Sequence, residues 1–204
     1  MRRIFTTLAL AVICCCVSSQ NAADILDGFR HIIETSGIRC VMSIPGSDSN
    51  AKASIVMKGS RYTVTTPENA IWYNGKTLYE GTVIDGKIVE VYVSTPSEQE
   101  LEEASASPYL VLKDHSGFDL SMPDKSHIVM TAKNTGNGWH GVRSIEAALT
   151  SNGTPATFTV TLADASATKI PLKVEKFETN ISVSDREFTF QAAEWPDAEI
   201  IDLR

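Results

Sequence analysis

The chain has almost nothing with which to staple itself. Three of its four cysteines crowd into Cys14-Cys15-Cys16, so with the leader gone only Cys40 remains and no intramolecular disulfide can form. The fold must rest on its own core. Basic charge is scarce as well: 18 Lys and Arg face 25 Asp and Glu, a net charge of −7, which argues against nucleic acid as a partner. Beyond the first twenty residues no stretch approaches ~18 consecutive apolar residues, so no later helix is expected to span a bilayer. There is no Gly-rich phosphate loop and no H-E-x-x-H or Cys/His ligand spacing. His31 falls on the polar side of a helix, and His115, His127 and His140 are isolated in sequence. Ser47-Asp48-Ser49 and Gly138-Trp-His-Gly141 lack the G-x-S-x-G elbow of a hydrolase. No catalytic residue, metal ligand or cofactor is therefore expected. Cys40 reads as a small buried hydrophobe, and the run Glu98, Glu100, Glu102, Glu103 as the solvated face of a short helix.

What is present begins with a leader. Met1-Arg-Arg3 is a positive n-region, Ile4 to Val17 an uncharged apolar h-region, and Ser18 to Ala23 a run of small and polar residues. This is the pattern of a signal peptide, expected over residues 1–22, with one exported soluble domain over 23–204. No Pro/Gly/Ser-rich linker divides the remainder. Loss of Arg2 and Arg3 leaves 16 basic against 25 acidic residues, a net charge of −9, in keeping with a protein that does not stay on anionic headgroups.

The remainder is organised around Ala70-Ile-Trp-Tyr-Asn-Gly-Lys-Thr-Leu-Tyr79, two aromatic-rich half-strands about an Asn-Gly pair that favours a two-residue type I′ turn. Strands are expected on either side at Cys40–Pro45, Ala51–Lys58, Arg61–Thr66, Lys76–Glu80 and Lys87–Ser94, and later at Gly117–Met122, Ser126–Lys133, Ala156–Ala163, Lys169–Phe177, Glu187–Gln191 and Ala198–Leu203. Gly141–Leu149 fits strand or helix. Ile25, Leu26, Phe29, Ile32 and Ile33 make one apolar stripe on a helix over Asp24–Ser36, capped by Asp24 and ended by Gly37. Ser97 with Glu100 has capping-box spacing for a helix to Ala104, and Pro108 suits a further helical turn leading into Tyr109-Leu-Val-Leu112.

The fold class expected is mainly β (α+β): a curved antiparallel half-barrel of about eleven strands, with about three helices as a lid over its open side. Such a concave apolar face either packs tightly or keeps a cavity. Alternation about outward Lys58 and Glu90 assigns Ile55, Met57, Tyr62, Val64, Val89, Val91 and Val93 to the cavity wall. Phe29, Ile33, Leu101, Tyr109, Leu110 and Leu112 are assigned to the lid. Met42, Met57, Met122 and Met130 would give such a wall adaptable filler.

Tyr73-Asn-Gly-Lys-Thr-Leu-Tyr79, Ser107-Pro-Tyr-Leu-Val-Leu112, Phe188-Thr-Phe190 and the closing Glu199-Ile-Ile-Asp-Leu-Arg204 occur in the order found in the outer-membrane lipoprotein carrier (LolA) family, which the chain resembles from about Asp24 to Arg204. That resemblance implies a periplasmic carrier whose half-barrel and lid enclose the acyl chains of a lipoprotein. Its partners would be an inner-membrane lipoprotein-releasing transporter and an outer-membrane acceptor, and it would act as a monomer without cofactor. Family members often carry Arg-Pro where this chain has Lys58-Gly59, an arginine that latches the lid through backbone carbonyls; Lys58 is the residue in place to act as that latch, without the planar fork of arginine. The same fold would serve a lipid-binding or lipid-sensing protein with glycolipid or a pigment ester as cargo. A β-rich interaction module without a cavity and a secreted hydrolase are the readings from other classes.

Overall fold

The computed structural model describes residues 21–45, 52–105, 111–133 and 141–204. Helix α1, Ala22–Thr35, starts two residues before the expected point because Asn21 is its cap: the Asn21 side chain accepts from the Asp24 amide while the Asp24 carboxylate accepts from the Asn21 amide. Asp24 is thus the return half of a capping box. Gly37 ends the helix at φ 98°, and a Cβ there would stand 2.8 Å from the Met57 carbonyl oxygen, so both backbone and space require glycine.

One meander follows: β1 (Ile38–Ser43), β2 (Lys52–Lys58), β3 (Arg61–Thr65), β4 (Asn69–Tyr73), β5 (Leu78–Ile84) and β6 (Lys87–Ser94). After helix α2 (Glu98–Ser105) a second meander runs β7 (Phe118–Asp124), β8 (His127–Ala132), β9 (Val142–Leu149), β10 (Pro155–Leu162) and β11 (Lys169–Thr179). Strand β11 returns to pair antiparallel with β1, from Ile38 opposite Thr179 to Ser43 opposite Lys173, and the two meanders fuse. With β12 (Glu199–Asp202) they form one sheet of twelve strands in the order β12-β6-β5-β4-β3-β2-β1-β11-β10-β9-β8-β7. Neither outer strand, β12 nor β7, pairs with the other, which is the open curved sheet expected.

Three details differ from the expectation. Asn74-Gly75 is not a type I′ turn: the last ladder pair is Tyr73 with Leu78, and only Gly75 has positive φ. The Asn74 side chain instead accepts from the amides of Lys76 and Thr77 at 3.0 and 2.8 Å, folding the loop on itself. The two positive φ angles of a type I′ turn occur at Asp85 and Gly86, between paired Ile84 and Lys87. Residues 185–188 and 192–194 form 3₁₀ turns where a strand over Glu187–Gln191 was expected. β12 joins β6 in parallel, so the sheet is not antiparallel throughout. Among the described residues there are two α-helices, and residues 111–113 form a turn; the helical turn expected at Pro108 lies outside them.

Gly141–Leu149 resolves as strand. Val142, Ile145 and Ala147 alternate inward and the segment pairs on both sides, with β8 and β10, so tertiary pairing overrides the helical propensity of Glu-Ala-Ala-Leu. The concave face carries the main core. Leu26, Phe29 and Ile33 of α1 pack there with Ile38, Ile55, Phe158, Ile128 and Ile145, and Phe29 meets Phe177 edge-on at 5.5 Å.

Candidate functional site

Cross-strand register decides which side chains face the concave side of β2 to β6. The rows Ile55-Val64-Ile71-Glu80-Tyr92 and Met57-Tyr62-Tyr73-Leu78-Ser94 lie there, and the row between them, Val56-Thr63-Trp72-Tyr79-Val93, lies on the convex side. Ile55 and Met57 sit under α1 in the main core, at 0 and 1% exposure. Further along, among the described residues, a hollow of about 1010 Å³ has Met42, Ala53, Val64, Ile71, Leu78 and Leu172 in its lining. That is the upper end of the roughly 300–1,000 Å³ of small-ligand sites.

The rim of the hollow is polar, with Glu68, Glu80, Glu100 and Lys52 among its charged side chains. Tyr62 lines it while only 3% exposed. Its ring packs on Tyr73 at 5.4 Å, and its phenol is pushed up to about 12, first by burial and then by Tyr73 and Glu80.

The expected wall residues divide. Tyr62 and Val64 line the hollow, and Ile55 and Met57 share their face. Val91 and Val93 lie on the convex side, buried with Ile88 against Phe190 and bordered by Trp72, Tyr79 and Trp195. Val89 is 37% exposed where the ladder slips, Thr82 pairing with Glu90 but Val83 with Ile88. Glu90, taken as outward, belongs with Thr82 and Asn69 on the concave side. The inversion has a physical cause: the segment after β11 covers the back of β6, which buries the valines there and leaves Tyr92 and Ser94 at the hollow. The signal in the sequence was Phe188-Thr-Phe190, a hydrophobic pair that the 3₁₀ turns aim at the sheet.

Of the lid residues, Phe29 and Ile33 are buried in the main core and Leu101 packs partly buried against it. Leu112 is 4% exposed beside Val111 at 0%; Tyr109 and Leu110 lie outside the described residues. Ser97 and Glu100 cap α2 reciprocally, the Ser97 amide donating to the Glu100 carboxylate at 2.7 Å. The carbonyls of residues 106–110, which Lys58 was expected to reach, lie outside the described residues. Lys113, directly after the apolar segment, donates from Nζ to the Ser60 carbonyl at 3.1 Å in the β2–β3 turn and stands 5.5 Å over the Tyr62 ring. Burial, opposed by Asp114, lowers its pKa. None of the hydrogen bonds and ion pairs among the described residues uses the Lys58 ammonium; its stem packs near Gly37.

Cys40 is 2% exposed and burial pushes its thiol up to about 12, which leaves it protonated and unreactive. Among the described residues no group of three His, Cys, Asp or Glu is placed to hold a metal. Ser126, His127 and Asp124 do touch, but in the exposed β7–β8 turn, and Ser126 Oγ and the Asp124 carboxylate both approach the same ring nitrogen, Nδ1, at 3.1 and 2.8 Å. A relay needs serine and carboxylate on opposite nitrogens. Ser47-Asp48-Ser49 and Gly138-Trp-His, which lack a hydrolase elbow in sequence, lie outside the described residues. No described helix is long and apolar enough to cross a membrane.

The family model described as outer membrane lipoprotein carrier protein LolA matches residues 14–145. No curated protein matches the chain. Solved structures with a similar course include a LolA superfamily protein from Nitrosomonas europaea, 12% identical, with 84% of this chain and 98% of that one covered and a TM-score of 0.39. A DUF1329 family protein from Desulfovibrio piger is 9% identical, with 84% and 96% covered and a TM-score of 0.41. The Pseudomonas aeruginosa MucA/MucB complex is 10% identical, with 83% of this chain but only 61% of that one covered and a TM-score of 0.35.

Proposed function

Because the chain belongs to the LolA outer membrane lipoprotein carrier family, we propose that it binds acyl chains in the hollow over β2 to β6 and moves an acylated lipoprotein through the periplasm. The reading includes export by the 1–22 signal peptide and a monomeric carrier domain over 23–204. Loading would come from an inner-membrane lipoprotein-releasing transporter, and delivery would be to an outer-membrane acceptor. The observation that carries it is the hollow among the described residues whose apolar lining, its floor, is Met42, Ala53, Val64, Ile71, Leu78 and Leu172. Hydrocarbon on that floor gains about 0.8 kcal/mol per buried CH₂, so a chain of roughly fifteen carbons supplies on the order of 10 kcal/mol before the cost of ordering it. No bond need be made or broken.

The test uses the mature protein with the neutral fluorescent amphiphile phenylnaphthylamine, displaced by a neutral monoacylglycerol. Wild type should bind the probe and release it to the acylglycerol. Ile71→Asp puts an unpaired charge on the floor and should weaken probe binding by at least about tenfold, roughly 1.4 kcal/mol, with an unchanged circular dichroism spectrum. Equal affinity in both proteins, or no binding to wild type, would sink the reading.

A further inference from the structure

We propose that the hollow selects amphiphiles whose polar end is a protonated amine, read by the Tyr62 hydroxyl and the Glu80 carboxylate; this rests on the reading that the floor takes hydrocarbon. Three carboxylates, Glu68, Glu80 and Glu100, line the hollow against one ammonium, Lys52. Lys52 forms no ion pair among the described residues, and Glu175, on which its charge acts weakly, is held first by Ser43 and Lys173. Glu100 is engaged by the Ser97 amide and hydroxyl. Glu68 and Glu80 form no ion pair among the described residues.

Tyr62 is the second and independent observation. The residue is 3% exposed and lines the hollow, and its hydroxyl makes no hydrogen bond among the described residues. The hydroxyl is not among the fully buried atoms left without a partner, so it keeps contact with solvent and is open to a ligand. Glu80 is near enough to act on it through space, and Glu80 stands in the row beside Val64 and Ile71, which floor the hollow. A ligand with its chain on that floor therefore places its head among an acceptor phenol and a carboxylate. An ammonium satisfies both, since the Lys113 ammonium that stands 5.5 Å over the Tyr62 ring donates to the Ser60 carbonyl. A carboxylate or phosphate would bring like charge to a rim where three carboxylates outnumber one ammonium.

At neutral pH, dodecylamine should displace phenylnaphthylamine from the mature protein at about tenfold lower concentration than dodecanoate, which has the same chain with the opposite charge. The ratio should shrink in Glu80→Gln, and in wild type when ionic strength rises to about 0.5 M; the salt series keeps the test valid if the variant does not fold. Tyr62→Phe, which keeps the packed ring, should weaken the amine by a larger factor than the neutral monoacylglycerol. Two arms separate the sources of such an amine. A short diacylated cysteinyl peptide with a free α-amino group displacing best would mean a protein-borne head, and an ethanolamine phospholipid displacing best a membrane-borne one. Equal displacement by amine and carboxylate, a salt-independent ratio, or failure of both natural arms would overturn the selectivity while leaving hydrocarbon binding intact. If the neutral acylglycerol also fails, the reading beneath it falls too.

Discussion

The two ends of the sheet bury opposite faces. Through β1, β11, β10, β9 and β8 the concave face is closed, with Ile38, Ile128, Met130, Ile145 and Phe158 all at 1% exposure or less under α1 and the 111–112 segment. Through β4, β5 and β6 the same face is open: Ile71 and Leu78 are half-buried and Tyr92 is 37% exposed, while Ile88, Val91 and Val93 are buried on the convex side beneath Phe190 and Trp195. A sheet open on one face needs its apolar burial somewhere, and here the C-terminal segment supplies it from behind. Thr63 Oγ1 donates to the Glu187 carbonyl, Arg39 meets Glu187 at 2.8 Å, and Arg61 pairs with Asp185 while standing over the Phe188 ring at 4.9 Å. The back cover leaves the front of β4 to β6 free to stay uncovered.

The sharpest way to break this comparison is to shorten one side chain in each half. Phe158→Ala, at 1% exposure in the closed half, should destabilise by about 3–5 kcal/mol. Ile71→Ala, on the hollow floor, should cost well below the ~2 kcal/mol minimum of a core truncation, because its side chain already borders open space. Urea denaturation measures both, and equal losses would mean the floor is core. Next in size is Phe190→Ala. At 7% exposure it should cost about 3 kcal/mol, near the lower end for a buried aromatic. If the back cover shapes the front, it should also weaken binding of phenylnaphthylamine, although Phe190 is on the far side of the sheet. Undiminished probe affinity in a destabilised variant would reduce the cover to simple ballast.

Most of the ladder could be read from the sequence because each strand from Arg61 to Ser94 and from Ala156 to Phe177 carries its own alternation or turn residues, which are local signals. β6 was placed to the residue and still assigned the wrong inward face. Alternation gives two faces but not which is buried, and β6 is apolar at 88, 89, 91 and 93 with a ladder slip between. Only a segment about a hundred residues later, Phe188 to Ala198, decides the matter, and its 3₁₀ turns have no periodicity to betray them. The Lys113 contact was illegible for a related reason: that its ammonium reaches the Ser60 carbonyl depends on where residues 111–113 cross the β2–β3 turn, a tertiary fact.

The smallest expected effect lies at the junction between α1 and the segment that follows residues 111–113. His115 is 12% exposed there, its Nδ1 is buried without a partner, and its Nε2 stands 3.7 Å from Asp27 of α1, beyond hydrogen-bond reach. Burial holds its pKa below the ordinary 6.5. Asp27 and Asp114 pull the other way, and Arg30 of α1 and Lys133 after β8 add to the lowering. A lowered folded pKa on a base means the unfolded chain binds the proton more readily. Stability is therefore lost as pH falls through the window from 6.5 toward the folded value, and is regained above it. His115→Gln, which keeps a polar side chain but cannot charge, should flatten that part of the stability–pH curve and leave the neutral-pH plateau nearly unchanged. Urea midpoints taken across the acid range for both proteins measure it. The closed half of the sheet depends on this junction, since Val111 and Leu112 enter the core immediately before it. An identical acid slope in wild type and variant would show that His115 titrates alike in the folded and unfolded chains, and that the junction is open to water.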